Sequence, residues 1–340
     1  MKLDADKLTE IATGAVRVEE ENGLISLKRF TLEQEELYKN TNQDFYNKTF
    51  STAGIKLWFK TDSRNLFLKL KVLPSSSRKY FSVDVFSDGK LVGCIDNFSF
   101  SELPYDYTKT DCPMGDFSKH FELGTGIKTV CVHLPWSVRT FIEEVSLDDS
   151  SFVEAEKQKK KLIAYGDSIT HGYDALRPSN RYVARLADML GAEEFNKGIG
   201  GERFFPELAQ YKDLLSPDYI TVAYGTNDWN YTDGDSFGDK CKRFYAGLSH
   251  NYPNSKIFAI TPIWRKDMHE RRPFGDFMMI EEHIRNAVAD MENISVISGF
   301  DLVPKNEKYF GDLRLHPNDD GFFCYAENLY KKIKTFVEGD

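Results

Sequence analysis

The stretch Leu162-Ile163-Ala164-Tyr165-Gly166-Asp167-Ser168-Ile169-Thr170-His171-Gly172 decides how the chain is read. Its four leading apolar residues suit a short buried strand, and the glycine, aspartate and serine that follow are turn formers. A serine where a strand of an α/β sheet ends is placed to act as a nucleophile. Its hydroxyl is weak at neutral pH, so this reading requires a base, an oxyanion site and preferably an acid elsewhere in the chain. Taken alone, a glycine-flanked serine reads as a turn or a helix cap.

Downstream, strand and helix patterns alternate. Apolar runs predict strands over 162–165, 194–196, 219–224, 256–260 and 294–297. Helical patterns cover 180–190, 206–214, 237–250, 274–291 and 318–337. Such alternation describes an α/β fold, a parallel sheet with helices on both faces, and sites in such folds form at the carboxyl ends of the strands.

Upstream the rhythm changes to period two: Leu66, Leu68, Leu70 and Val72, then Phe81, Val83 and Val85, then Val130, Val132 and Leu134. Half-buried antiparallel strands explain it, and Ser87-Asp88-Gly89-Lys90 between two such runs is a hairpin signal, because Asp-Gly accepts the backbone of a tight turn. The charged stretch ending in Glu156-Lys157-Gln158-Lys159-Lys160-Lys161 reads as a solvated connector. The predicted organisation is an antiparallel β-sandwich over 1–155 and an α/β domain over 156–340, two units being reasonable for 340 residues.

Composition narrows the function classes. A net charge of -9 disfavours nucleic acid and anionic membranes as partners and favours a neutral substrate. No apolar run reaches the roughly 20 residues of a membrane span, and the first residues lack a signal peptide's apolar core, so the chain reads as soluble and cytoplasmic. Five scattered cysteines without C-x-x-C spacing argue against a disulfide framework or a zinc site. His171, His250, His269 and His283 show no metal-ligand spacing either, so neither a metal nor a cofactor is expected. Nothing in the sequence assigns an oligomeric state.

Three further segments fall at or beyond predicted strand ends. Asn196-Lys197-Gly198-Ile199-Gly200-Gly201-Glu202 supplies glycines that let a backbone N–H approach a ligand. Gly198 and Gly200 read as structural. Tyr224-Gly225-Thr226-Asn227-Asp228-Trp229 offers the Asn227 amide as an oxyanion donor, with Asp167 and Asp228 bracing the loops by local hydrogen bonds. Asp312-Leu313-Arg314-Leu315-His316-Pro317 places a histidine just before the last helix. Trp229, Trp264 and Arg265 follow strand ends and are candidates for substrate contact or for packing.

These four blocks, in this order, resemble the SGNH hydrolases, also called the GDSL esterase/lipase family. The resemblance covers about Lys161 to the C-terminus. It implies a three-layer α/β/α, flavodoxin-like domain with Ser168 as nucleophile and His316 as base. The implied oxyanion donors are the Ser168 and Gly201 backbone N–H groups and the Asn227 side chain. The family's acid usually stands three residues before the histidine, where this chain has Leu313. Asp312, one residue earlier, is expected to complete a triad if the loop bulges, with a Ser-His dyad as the alternative. The sandwich-first arrangement is similar to carbohydrate esterases in which a jelly-roll-like domain precedes the SGNH domain. It implies hydrolysis of short acyl esters, acetyl above all, on a saccharide or other small alcohol. The alternatives are a longer-chain lipase and a catalytically inactive carbohydrate-binding protein.

Overall fold

Leu66, Leu68, Leu70 and Val72 alternate with more exposed neighbours along the strand Asn65–Pro74 and are at most 1% exposed. This period-two burial points one face of a sheet inward. The computed structural model describes residues 1–213 and 215–337. In it the strand order Arg17–Glu21, Leu24–Lys28, Val138–Leu147, Asn65–Pro74, Gly115–Glu122 forms one antiparallel sheet. Facing it is a second, in the order Ala12–Thr13, Lys56–Thr61, Lys128–His133, Ser82–Ser87, Lys90–Asp96, with Glu154–Ala155 added beside Lys56–Thr61. Leucines and valines of both sheets share one core, each buried side chain contributing about 1.5–3 kcal/mol of transfer free energy. The hairpin turn lies at Asp88 and Gly89, with φ of +47° and +75°.

Beyond Glu154–Ala155 the chain enters a parallel sheet at Lys160–Gly166. Its strand order is Ala192–Gly198, Lys160–Gly166, Tyr219–Ala223, Lys256–Ile260, Ile294–Ile297, the doubly wound order 2-1-3-4-5 of flavodoxin-like folds. The four-residue apolar run makes the middle of this sheet by supplying both faces. Ile163 and Tyr165 pack into one core, beneath the helices Gly234–Asn251 and Met279–Val288. Leu162 and Ala164 pack into the other, against Tyr182–Leu190 and Asp319–Val337. Among the described residues, no helix is long and apolar enough to cross a membrane.

Two expectations change. The predicted helix over 206–214 is one 3-10 turn at Leu208–Gln210, with Leu214 outside the described residues. Ala209 there is pressed against Gly247 of the following helix, where a Cβ would come within 2.9 Å of the Ala209 carbonyl oxygen. The helix over 274–291 shortens to Met279–Val288, because Phe274 and Phe277 are buried from turns.

The first half also holds helices that periodicity did not reveal, Leu32–Thr41 and Gln43–Thr49. A capping box between Thr31 and Gln34 starts the first. Its buried face is Gln34, Glu35 and Tyr38 rather than an apolar stripe. Phe30 and Tyr38 enter a core of the parallel sheet. Beside them the fully buried Arg29 guanidinium donates to the carbonyls of Lys48, Ser51, Asn196 and Gly198, and burial lowers its pKa to about 9. The two halves are thereby joined by polar contacts that neither could satisfy alone.

Candidate active site

Ser168 follows the central strand Lys160–Gly166 and opens the short helix Ser168–His171. Asp167 caps that turn, its carboxylate accepting the Ile169 N–H at 2.9 Å. Gly166 has no substitute here, since a Cβ would stand 2.1 Å from Thr170 Oγ1. The Ser168 hydroxyl thus projects at the carboxyl edge of the sheet.

Ser168 Oγ lies 2.8 Å from His316 Nε2, and His316 Nδ1 lies 2.8 Å from Asp312 Oδ2. A carboxylate at Nδ1 holds the proton on that nitrogen, leaving Nε2 to accept from the serine. The extra residue before the histidine is absorbed at Leu313, whose φ is +55°. This bulge lets Asp312 Oδ1 accept the N–H groups of Arg314, Leu315 and His316 at 2.9, 2.7 and 3.1 Å. Burial would raise the Asp312 carboxyl, but the bonds and charge of His316, together with those N–H groups, hold it well below the usual carboxylate range.

A second carboxylate stands behind the first. Asp174, fully buried with φ of +73°, places Oδ2 3.8 Å from His316 Nδ1. It accepts from Arg78 Nε at 2.9 Å and from the Tyr107 hydroxyl at 2.5 Å. Burial and the neighbouring Asp174 push the Tyr107 phenol far above its ordinary value, so it stays a donor. Both supports come from the antiparallel half.

Gly201 and Asn227 line the same cavity of about 440 Å³ as Ser168 and His316. Gly201 has φ of +87°, which favours glycine. Asn227 Nδ2 donates to the Glu202 carbonyl at 3.0 Å, tying the two loops together. The Glu202 carboxyl accepts the hydroxyls of Tyr38 and Tyr224 at 2.6 Å each. Burial raises it to about 8 despite those donors. Burial likewise raises Asp228 to about 7 and Asp167 to about 6. Gly198 and Gly200 are confined by packing, as a Cβ would meet His171 N at 2.3 Å or the Tyr173 hydroxyl at 2.4 Å. His171 is a buried residue of the junction between the halves, its Nε2 2.8 Å from Ser51 Oγ and 2.9 Å from the Trp136 carbonyl oxygen.

Of the three candidates for substrate contact, only Arg265 lines the cavity. Trp229 is fully buried, donates its indole N–H to Gly275 O at 2.9 Å and lies under the guanidiniums of Arg265 and Arg272. Trp264 packs on Phe310 with ring centroids 5.3 Å apart. For both tryptophans, packing accounts for the position. The cavity also takes Lys48, Arg78, Arg272 and Arg314, which sequence reasoning missed. Arg314, two residues before His316, had a local signal. Lys48 and Arg78 had none, because the tertiary fold alone brings the first half to the serine.

A serine, a histidine and a carboxylate linked at the carboxyl edge of a doubly wound sheet are the equipment of a serine hydrolase. Residues 164–322 match the GDSL-like Lipase/Acylhydrolase family, and the chain carries a carboxylic ester hydrolase domain of that family. No curated protein matches the chain in sequence. Among solved structures it is similar to the salicylyl-acyltransferase SsfX3 from a tetracycline biosynthetic pathway, at 20% identity and TM-score 0.77 over 96% of this chain and 94% of that one. A protein of Bacteroides ovatus ATCC 8483 assigned as a GDSL-like lipase is similar at 20% identity and TM-score 0.77, over 99% and 98%. A family two carbohydrate esterase from Cellvibrio japonicus is similar at 15% identity and TM-score 0.67, over 99% and 98%. These likenesses span both halves and show a shared two-domain fold.

Proposed function

We propose that the protein is a serine esterase that removes short acyl groups, acetyl above all, from a saccharide or other small alcohol. The observation that carries this reading is the unbroken hydrogen-bond chain Ser168–His316–Asp312 beside a cavity with little aliphatic surface. His316 takes the Ser168 proton as Oγ attacks the ester carbonyl, and Asp312 holds the imidazole and offsets its positive charge. The N–H groups of Ser168 and Gly201 and the Asn227 amide receive the oxyanion. The alcohol leaves with the proton from His316; water, deprotonated by the same histidine, then releases the acid and regenerates Ser168. Leu315 is the one aliphatic side chain among the residues lining the cavity, which favours short acyl groups over lipid chains. In this reading residues 1–155 form the sandwich and 156–340 the catalytic unit, the sandwich lending Lys48 and Arg78 to the cavity.

The test compares acetyl and long-chain p-nitrophenyl esters on the intact protein and on Ser168→Ala, with fluorophosphonate labelling alongside. Acetyl preference with labelling at Ser168 is expected. A long-chain preference would overturn the acyl assignment, and folded protein that does not label would favour a binding role.

A further inference from the structure

The described residues lining the cavity include five cations, Lys48, Arg78, Arg265, Arg272 and Arg314, and no carboxylate. In a chain of net charge -9 average composition does not produce such a lining. Nor does the proposed mechanism need it to receive the oxyanion, a role it gives to the Ser168 and Gly201 N–H groups and the Asn227 amide.

The carboxylates that pair with these cations are not among the residues lining the cavity. Arg265 holds Asp267 with two bonds, at 2.6 and 2.8 Å. Arg272 and Arg314 reach the same carboxylate only at 3.5 Å each. Three guanidiniums thus converge on Asp267, and its oxygens are already engaged by Arg265. Glu270, the other partner of Arg272, has a side chain 57% exposed, where water screens the pair. The Arg272 guanidinium lies over the Trp229 ring, 5.2 Å from its centroid. The Arg314 side chain is 51% exposed and stands two residues from His316. Arg265 donates to the Thr226 carbonyl at 2.9 Å, next to Asn227. The cluster therefore flanks the reacting centre.

We infer that the ester accepted by this site carries an anionic group, such as a carboxylate, sulfate or phosphate on the saccharide, held by the arginines Arg272 and Arg314. Planar guanidinium forks match each of these anions in geometry and charge. The inference rests on the esterase reading and adds the charge of its substrate.

The experiment measures kcat/KM of the full chain on a mono-O-acetylated methyl glucoside and on its uronate, 6-sulfate and 6-phosphate counterparts, in low and high salt. p-Nitrophenyl acetate serves as the separate test of esterase chemistry. At least one anionic ester is expected to exceed the neutral one by about tenfold or more, with the advantage shrinking as salt rises. The favoured arm identifies the anion. In Arg314→Gln and Arg272→Gln the ratio of anionic to neutral kcat/KM should fall about tenfold. Loss of activity on both kinds of ester in equal proportion would assign the arginines to transition-state or structural roles and overturn the inference. Equal rates on neutral and anionic esters by the wild type would overturn it too. Failure on p-nitrophenyl acetate as well would count against the esterase reading itself.

Discussion

Asp312 reaches His316 because Leu313, which occupies the acid's expected position, turns through a left-handed conformation with φ of +55°. The carboxylate then bonds Nδ1 at 2.8 Å and gathers three backbone N–H groups on its other oxygen. Removing the acceptor should cost the imidazole its orientation. Asp312→Asn is expected to lower kcat by about a hundredfold or more, as measured on a short acyl ester. Asp174, 3.8 Å from the same nitrogen, should keep the residual rate above that of His316→Ala. Equal rates for the two variants would remove Asp174 from the picture.

Leu313 is a test of the bulge itself. Glycine accepts positive φ without strain, whereas a β-branched residue does so at a cost of roughly 1–2 kcal/mol. Leu313→Gly should match the wild type in stability or gain up to about 1 kcal/mol. Leu313→Val should lose stability and kcat together. Denaturant midpoints with parallel kinetics give the comparison.

Asn227→Ala is expected to lower kcat about a hundredfold with a much smaller effect on KM, since an oxyanion donor acts in the transition state. It also removes the bond to the Glu202 carbonyl, so Asn227→Asp, which keeps the shape but places a carboxylate acceptor at the site, should be at least as slow. Unchanged turnover in Asn227→Ala would end its assignment as a donor.

Glu202 gives the protein a pH-dependent stability with a definite sign. Its carboxyl titrates at about 8 when folded against an ordinary value of 4.5, so the folded state binds the proton more tightly. Its contribution is most favourable below 4.5 and declines as pH rises to about 8, because the unfolded chain releases the proton first. Asp228 and Asp167 act in the same direction up to about 7 and 6. Glu202→Gln imitates the protonated acid and should flatten the fall of Tm between about pH 5 and pH 8, each kcal/mol corresponding to about 2–4 °C. Thermal melts at stepped pH check this, and an unchanged slope would show that the carboxyl is not protonated in the fold.

Arg78 joins the sandwich to Asp174, whose side chain is fully buried. Arg78→Met leaves that carboxylate without its cation, a loss of about 3–5 kcal/mol for a well-buried pair, discounted here because the Arg78 side chain is 12% exposed. Tyr107→Phe should lose about 1–3 kcal/mol through the same acceptor. The double variant should fall short of the sum of the two, as expected of groups sharing one partner.

The sequence by itself determined the elements whose signals are local. The run 162–165 specified a buried strand, the period-two leucines specified the sandwich face, and four short motifs in order marked Ser168, Gly201, Asn227 and His316 as one candidate site. Each of these is a property of a few contiguous residues, or of their spacing. Only the tertiary structure decided the rest. Whether Asp312 could reach His316 depended on one backbone angle at Leu313. Lys48 and Arg78 reach the cavity, and Tyr107 reaches the Asp174 carboxylate behind it, from a half of the chain more than 60 residues upstream of Ser168 in sequence, on segments without a motif. The helix Leu32–Thr41 packs a polar face, which hydrophobic periodicity does not report. The charge of the cavity also runs opposite to that of the whole chain, because packing places the arginines toward the cavity and leaves the carboxylates that pair with them out of its lining.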